Sequence, residues 1–85
     1  MNILKFGSDW CKPCQKLKEV FKELDLTNHH LDEFDIDDED DMQVAAKYKV
    51  RGVPTVVLID DAGNEIIRFT GVKTKKEIEE LLTEV

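Results

Sequence analysis

The sequence predicts an α/β fold of order βαβαββα, a four-stranded mixed sheet with three helices on both faces. Three observations carry this. Short apolar runs alternate with segments of 3.6-residue apolar periodicity, the mark of strands alternating with helices. Thr55–Ile59 is an unbroken β-branched and aliphatic run, as in a strand covered on both faces. The length, 85 residues with 41% apolar content, suits one small core, so residues 1–85 read as a single domain.

Each element has a local reason. Asn2–Gly7 is the first strand, and Ser8 or Asp9 can cap the helix that follows, because their side-chain oxygens accept from amides with no partner in the first turn. That helix is expected over Cys11–Leu24, with Leu17, Val20, Phe21 and Leu24 on one face. Pro13 falls in its first turn, where the missing N–H costs little. After a loop at Asp25–Asn28, His30–Asp37 is the second strand, with Phe34 and Ile36 on one face. A second helix is expected over Asp40–Tyr48; its acidic start and the lysines 47 and 49 at its end both suit the helix dipole. Arg51-Gly52 breaks the chain before the Thr55–Ile59 strand. Asp60–Asn64 is a hairpin loop, and Glu65–Thr70 is the returning strand. Past the turn Gly71–Lys73, Thr74 caps the last helix and Glu77 completes a capping box. Ile78, Leu81, Leu82 and Val85 form its buried stripe.

Composition narrows the function. Twelve basic and 19 acidic residues leave a formal charge of -7, which argues against a nucleic-acid partner. Two cysteines are too few for a disulfide-stapled secreted scaffold. No charged leader, cleavage-like site or long apolar run is visible, so a cytoplasmic protein without membrane contact is expected. The acidic run Asp35–Asp41 lacks the glycine and the glutamate of a calcium-binding loop, and reads as a solvated edge and helix start.

The chemistry lies in Trp10-Cys11-Lys12-Pro13-Cys14. Two thiols at a strand-to-helix turn can close and reopen a disulfide with little backbone movement, and a Cys-x-x-Cys beside a βαβ pattern reads as a dithiol redox site. The thiolate is the attacking species. Cys11 stands at the positive end of a helix, beside Lys12, and both favour its anion; Cys11 is therefore the nucleophile and Cys14 the resolving thiol. A structural zinc site would need four ligands. Only His29 and His30 could complete it, and neighbours in extended chain point to opposite sides, so no metal is expected.

Three placed segments resemble the thioredoxin family. Trp10–Cys14 is similar to its active site, with Lys12 where glycine is usual. Arg51-Gly52-Val53-Pro54-Thr55 resembles its substrate loop, and Thr70-Gly71-Val72 its third surface loop. The resemblance spans essentially the whole chain but omits the first strand and helix of a full-length thioredoxin, as in glutaredoxins and short glutaredoxin-like thioredoxins. It implies a minimal thioredoxin fold and a protein-disulfide reductase that needs no bound cofactor. It implies a cis Val53–Pro54 bond, with the Val53 backbone beside the cysteines and open to an extended substrate. Trp10, Lys12, Pro13, Val53, Pro54, Gly71 and Val72 would form the substrate surface. Electrons would come from thioredoxin reductase, or alternatively from glutathione. Gly71 is followed by Val72 rather than by a second glycine, which favours the reductase, and a monomer is expected. Two rival readings are a glutathione-dependent glutaredoxin and a non-enzymatic binding module on the same fold.

Lys5 departs from the family pattern, which has a buried aspartate there. A lysine on an interior strand needs a partner, and Glu33 on the neighbouring strand is the nearest candidate. A Lys5–Glu33 pair would let Glu33, or a water, take the proton from Cys14. The alternative is that Lys5 reaches solvent and has no role.

Overall fold

A computed structural model describes residues 1–84; Val85, assigned above to the last helix's stripe, lies outside the described residues. The element order is β1 (Asn2–Gly7), α1 (Lys12–Lys22), β2 (His30–Asp35), α2 (Glu39–Lys47), β3 (Thr55–Ile59), β4 (Glu65–Thr70) and α3 (Lys75–Glu84). The strands lie in the order β2-β1-β3-β4. β1 and β2 are parallel, and the β1–β3 and β3–β4 pairs are antiparallel. The mixed sheet is as expected.

Side-chain alternation along β1 divides the core into two layers. Ile3 joins Leu17, Phe21, Val56, Leu58, Phe69 and Ile78 on the face covered by α1 and α3. Leu4 and Phe6 join Ala45, Val57 and Ile59 under α2, where Phe6 stacks on Phe34 at 5.0 Å. All five residues of β3 are buried, as a central strand between two helical layers requires. Leu81 and Leu82 pack half-buried against the first layer, and Thr74 and Glu77 exchange the capping-box hydrogen bonds at 3.2 and 3.0 Å.

Helix and strand ends differ from expectation by local chemistry. α1 stops at Lys22, so Leu24 packs from the loop. Its cap is neither Ser8 nor Asp9 but Cys11, whose Sγ accepts from the Cys14 N–H at 3.2 Å. β2 ends at Asp35 rather than Asp37, because its ladder runs out with β1: Ile36 N–H donates to the Gly7 carbonyl, and the chain then turns through Asp38. Asp38 caps α2 through the Asp41 N–H at 3.0 Å, which sets that helix one residue earlier than predicted at both ends. α2 closes in a Schellman pattern. Val50 N–H donates to Ala45 and Lys49 N–H to Ala46, with Lys49 in the left-handed region at φ 57°.

Candidate active site

The C-terminal end of β1 delivers the chain into the site. Gly7 is the last strand residue, and a Cβ there would lie 3.4 Å from Cys14 Cβ and 3.5 Å from its Sγ. A larger residue would therefore push on the sulfur. A glycine closing a strand just before a functional turn is a readable sign of close approach, and Gly7 belongs among the site residues that sequence reasoning passed over. Ser8 is another: its Oγ is buried without a hydrogen-bond partner among the described residues, in the wall of the cavity behind Cys14. Gln15 Nε2 donates to the Asp9 carbonyl at 2.7 Å and ties the turn to the helix.

Cys11 and Cys14 are joined as a disulfide with Cα atoms 5.2 Å apart. Overall exposure does not separate the two cysteines, since Cys11 is 5% and Cys14 6% accessible. Their surroundings do. Cys11 is the helix cap and lies 3.8 Å from the Val53 carbonyl oxygen. Cys14 faces inward, onto a cavity shared with Lys5, Gly7, Ser8, Lys18 and Glu33. The Val53–Pro54 bond is cis, Pro54 is buried, and Gly71 N–H donates to the Pro54 carbonyl at 3.0 Å. That bond clasps the third loop to the second, with Gly71 at φ 79°, a conformation that favours glycine. Trp10 is 67% exposed and Val72 42%. Trp10 therefore offers an open flat surface next to Cys11. Lys12 and Pro13 are exposed on the same rim, and Val53 is half-buried.

Lys5 and Glu33 stand opposite each other in the β1–β2 register, with Nζ 3.9 Å from Oε2. Lys5 does not reach open solvent: its side chain is 9% exposed, against 54% for Glu33. Burial pushes the Lys5 ammonium below its usual range; Glu33 opposes this and Lys18 adds to it. The ammonium also sits 5.7 Å from the Phe21 ring centre. Among the described residues no cluster of three or more His, Cys, Asp or Glu side chains could hold a metal ion. His30 is exposed and pairs with Asp32 at 2.9 Å, away from the cysteines.

A dithiol pair on a helix start, a cis-proline loop against it and a third loop clasped to that proline make one assembled surface. Residues 2–85 match the family model of the thioredoxin-like domain. The chain belongs to the thioredoxin family. It is 30% identical to a thioredoxin of Chlamydia pneumoniae over 80 residues, covering 94% of this chain and 78% of that protein. It is 35% identical to the SPbeta prophage-derived thioredoxin-like protein YosR of Bacillus subtilis over 85 residues, covering 100% of this chain and 99% of that one. Among solved structures, a thioredoxin variant from Halobacterium salinarum superposes with a TM-score of 0.86 at 32% identity, over 98% of this chain and 72% of that chain. Fasciola hepatica thioredoxin gives 0.84 at 29% identity, over 98% and 78%. The thioredoxin fold and a thioredoxin-type dithiol–disulfide oxidoreductase activity follow, with the Cys11–Cys14 pair itself as the redox group and no added cofactor. As in thioredoxins generally, its substrates contain disulfides and its electrons come from a reductase donor.

Proposed function

We propose that this thioredoxin reduces protein disulfides with Cys11 as nucleophile and Cys14 as resolving thiol, in a monomer of one domain in the cytoplasm, re-reduced by thioredoxin reductase. The observation that carries the assignment is the cap: Sγ of Cys11 receives the Cys14 N–H at the helix's positive end. In the reduced protein the Cys11 thiolate attacks one substrate sulfur. The substrate disulfide breaks, its other sulfur leaves with the electron pair and takes a proton, and Cys11 is joined to the substrate. Cys14 then loses its proton and attacks Cys11. The Cys11–substrate bond breaks, the second substrate sulfur leaves and is protonated, and the protein disulfide closes. Two electrons have passed to the substrate.

The remaining roles follow from placement. An extended substrate segment lies along the Val53 backbone and pairs with it, which places the scissile sulfur against Cys11. Trp10, Lys12, Pro13, Gly71 and Val72 border that segment, and buried Pro54 holds the loop. Glu33 takes the Cys14 proton directly or through water in the shared cavity, and Lys5 positions Glu33. The open strip of Trp10, Val53 and Val72 is apolar and suits a peptide better than a small charged tripeptide, which favours thioredoxin reductase over glutathione as donor. No described helix is long and apolar enough to cross a membrane.

Insulin disulfide reduction, coupled in parallel to thioredoxin reductase and to glutathione with its reductase, tests the donor. Turnover with the first alone is expected. A Cys14→Ser variant should accumulate a mixed disulfide at Cys11; none in that variant, with linkage through Cys14 in a Cys11→Ser variant, would reverse the assignment.

A further inference from the structure

The formal charge of -7 is unevenly placed. The segment from Asp32 to Lys47 holds eight carboxylates against one lysine and so carries the whole excess; the rest of the chain is balanced. That segment is the edge strand β2, the following turn and α2. In two grooves beside the redox centre the sorting is reversed, although the cavity behind Cys14 is lined by Asp9, Glu33, Asp35 and Asp41. One groove beside Cys11 is lined by Lys12, Pro13, Lys16, Val20, Val72 and Lys73, together with Thr74. A second, across the Val53 loop, has Met42 and Val53 in its walls and Arg51 as its charged residue. No carboxylate lines either groove among the described residues. Lys12, Lys16 and Arg51 are exposed and make no salt bridge with a described carboxylate. Lys73 is partly engaged, 3.9 Å from Glu77 and 5.7 Å from the centre of the Phe69 ring.

Unpaired cations at the active-site rim of an acidic protein need a reason, since carboxylates to neutralise them abound elsewhere in the chain. We infer that these cations select the substrate: this thioredoxin prefers disulfides whose cysteine is flanked by aspartate or glutamate. The inference rests on the dithiol mechanism proposed above and adds the chemical class of its partner. The apolar strip takes the segment that carries the disulfide. Lys12, Lys16 and Lys73 take carboxylates on one side of it and Arg51 on the other. The carboxylates near the dithiol line the inner cavity, and α2 lends Met42, Ala45 and Ala46 to the second groove, but no acid. The screening length at physiological salt is about 8 Å, so carboxylates outside the grooves act more weakly on a bound segment than the cations that line them.

The test is single-turnover reduction by the pre-reduced protein of disulfide peptides matched in length, with acidic, neutral or lysine flanks. At about 0.1 M salt the acidic peptide should react about tenfold faster than the lysine one, as a few partly solvated ion pairs would give. The gap should close near 1 M salt, where screening reaches about 3 Å. Lys16→Glu alone should narrow the gap, and Lys16→Glu with Lys73→Glu should reverse the order. Equal rates for the three peptides, or an order unchanged by both variants, overturns the inference. Failure to reduce any of the peptides would instead indict the dithiol mechanism.

Discussion

Replacing Lys5 by methionine separates stability from catalysis at one position. Three terms act on the ammonium. Its desolvation on an interior strand costs several kcal/mol even after relaxation. The Glu33 pair offsets little of this: at 3.9 Å with a carboxylate 54% exposed it contributes about 0.2–1 kcal/mol. The Phe21 ring at 5.7 Å adds about 0.5–2 kcal/mol. Burial is the largest influence on the Lys5 titration and lowers it, so desolvation outweighs the Glu33 attraction, and the nearby Lys18 acts in the same direction as burial. Methionine keeps the apolar stem, gains a sulfur–aromatic contact with Phe21 and removes the charge. A gain of about 1–2 kcal/mol is expected, which for a domain of this size raises Tm by roughly 5–15 °C.

The pH dependence checks the cause. Below its lowered native pKa, Lys5 is charged in both folded and unfolded chains, and the folded state bears the burial cost. Between that pKa and 10.5 the unfolded chain binds more protons, so wild-type stability rises with pH. The advantage of Lys5→Met is therefore full at neutral pH and shrinks as 10.5 is approached. Thermal melts of the two oxidised proteins across this range measure it, and comparing them removes titrations they share. The same variant should release a Cys11 mixed disulfide more slowly, since Glu33 is no longer held over the cavity. A Lys5→Met protein less stable than wild type at neutral pH, or one whose advantage grows with pH, would refute the reasoning.

Other perturbations follow from single contacts. Lys12→Gly removes an exposed cation beside the Cys11 anion; at about 0.3–1 kcal/mol this makes the couple more reducing by about 6–20 mV, read by equilibration against a thiol buffer. Lys49→Gly relieves a left-handed lysine at φ 57° in the α2 terminus and should stabilise by roughly 0.5–1 kcal/mol in urea unfolding. Gly7→Val presses on Cys14 and should slow disulfide closure by at least about tenfold in stopped-flow, since the Cβ alone already meets Sγ at 3.5 Å. Glu33→Gln should slow substrate release at neutral pH and steepen its rise toward alkaline pH, where a thiol ionises without a base; an unchanged profile removes Glu33 as proton acceptor.

What could be read from sequence was what local chemistry decides alone. β3 declared itself by five consecutive buried-type residues, and the dithiol turn by spacing, because both signals are contiguous. Helix ends were less legible for a definite reason. Six of the eight residues from Asp35 to Met42 are acidic, so several could serve as caps for α2, and only the turn after Gly7's last hydrogen bond selects Asp38. The Schellman close of α2 carried no glycine to announce it. Arg68 was silent for another reason. Its guanidinium reaches the Tyr48 carbonyl at 2.7 Å and Glu65 at 2.6 Å, so β4 satisfies the end of α2, a contact 20 residues apart in sequence. The Lys5–Glu33 opposition was inferred from the family pattern and depends on parallel register, which the chain's local periodicity does not encode.

The cap at Cys11 links helix stability to redox poise. In the disulfide, Sγ is a weak neutral acceptor for the Cys14 N–H at 3.2 Å. Once the bond opens to the thiolate, the same atom becomes an anionic cap, and charge-assisted hydrogen bonds are roughly twice as strong as neutral ones. Low exposure, 5% for Cys11, works against the anion by desolvation. In the mechanism proposed above the dipole and the amide outweigh it, and no first-turn carboxylate opposes them: α1 has no acidic residue there. α2 is the contrast, with Glu39, Asp40 and Asp41 filling the same positions. A carboxylate in the first turn of α1 would cap the helix equally well in both redox states, and would repel the sulfur in the one state where it must be charged. Leaving that turn without one makes the stability of α1 depend on electrons at Cys11, so the helix itself favours the reduced protein and draws the couple toward the oxidising side.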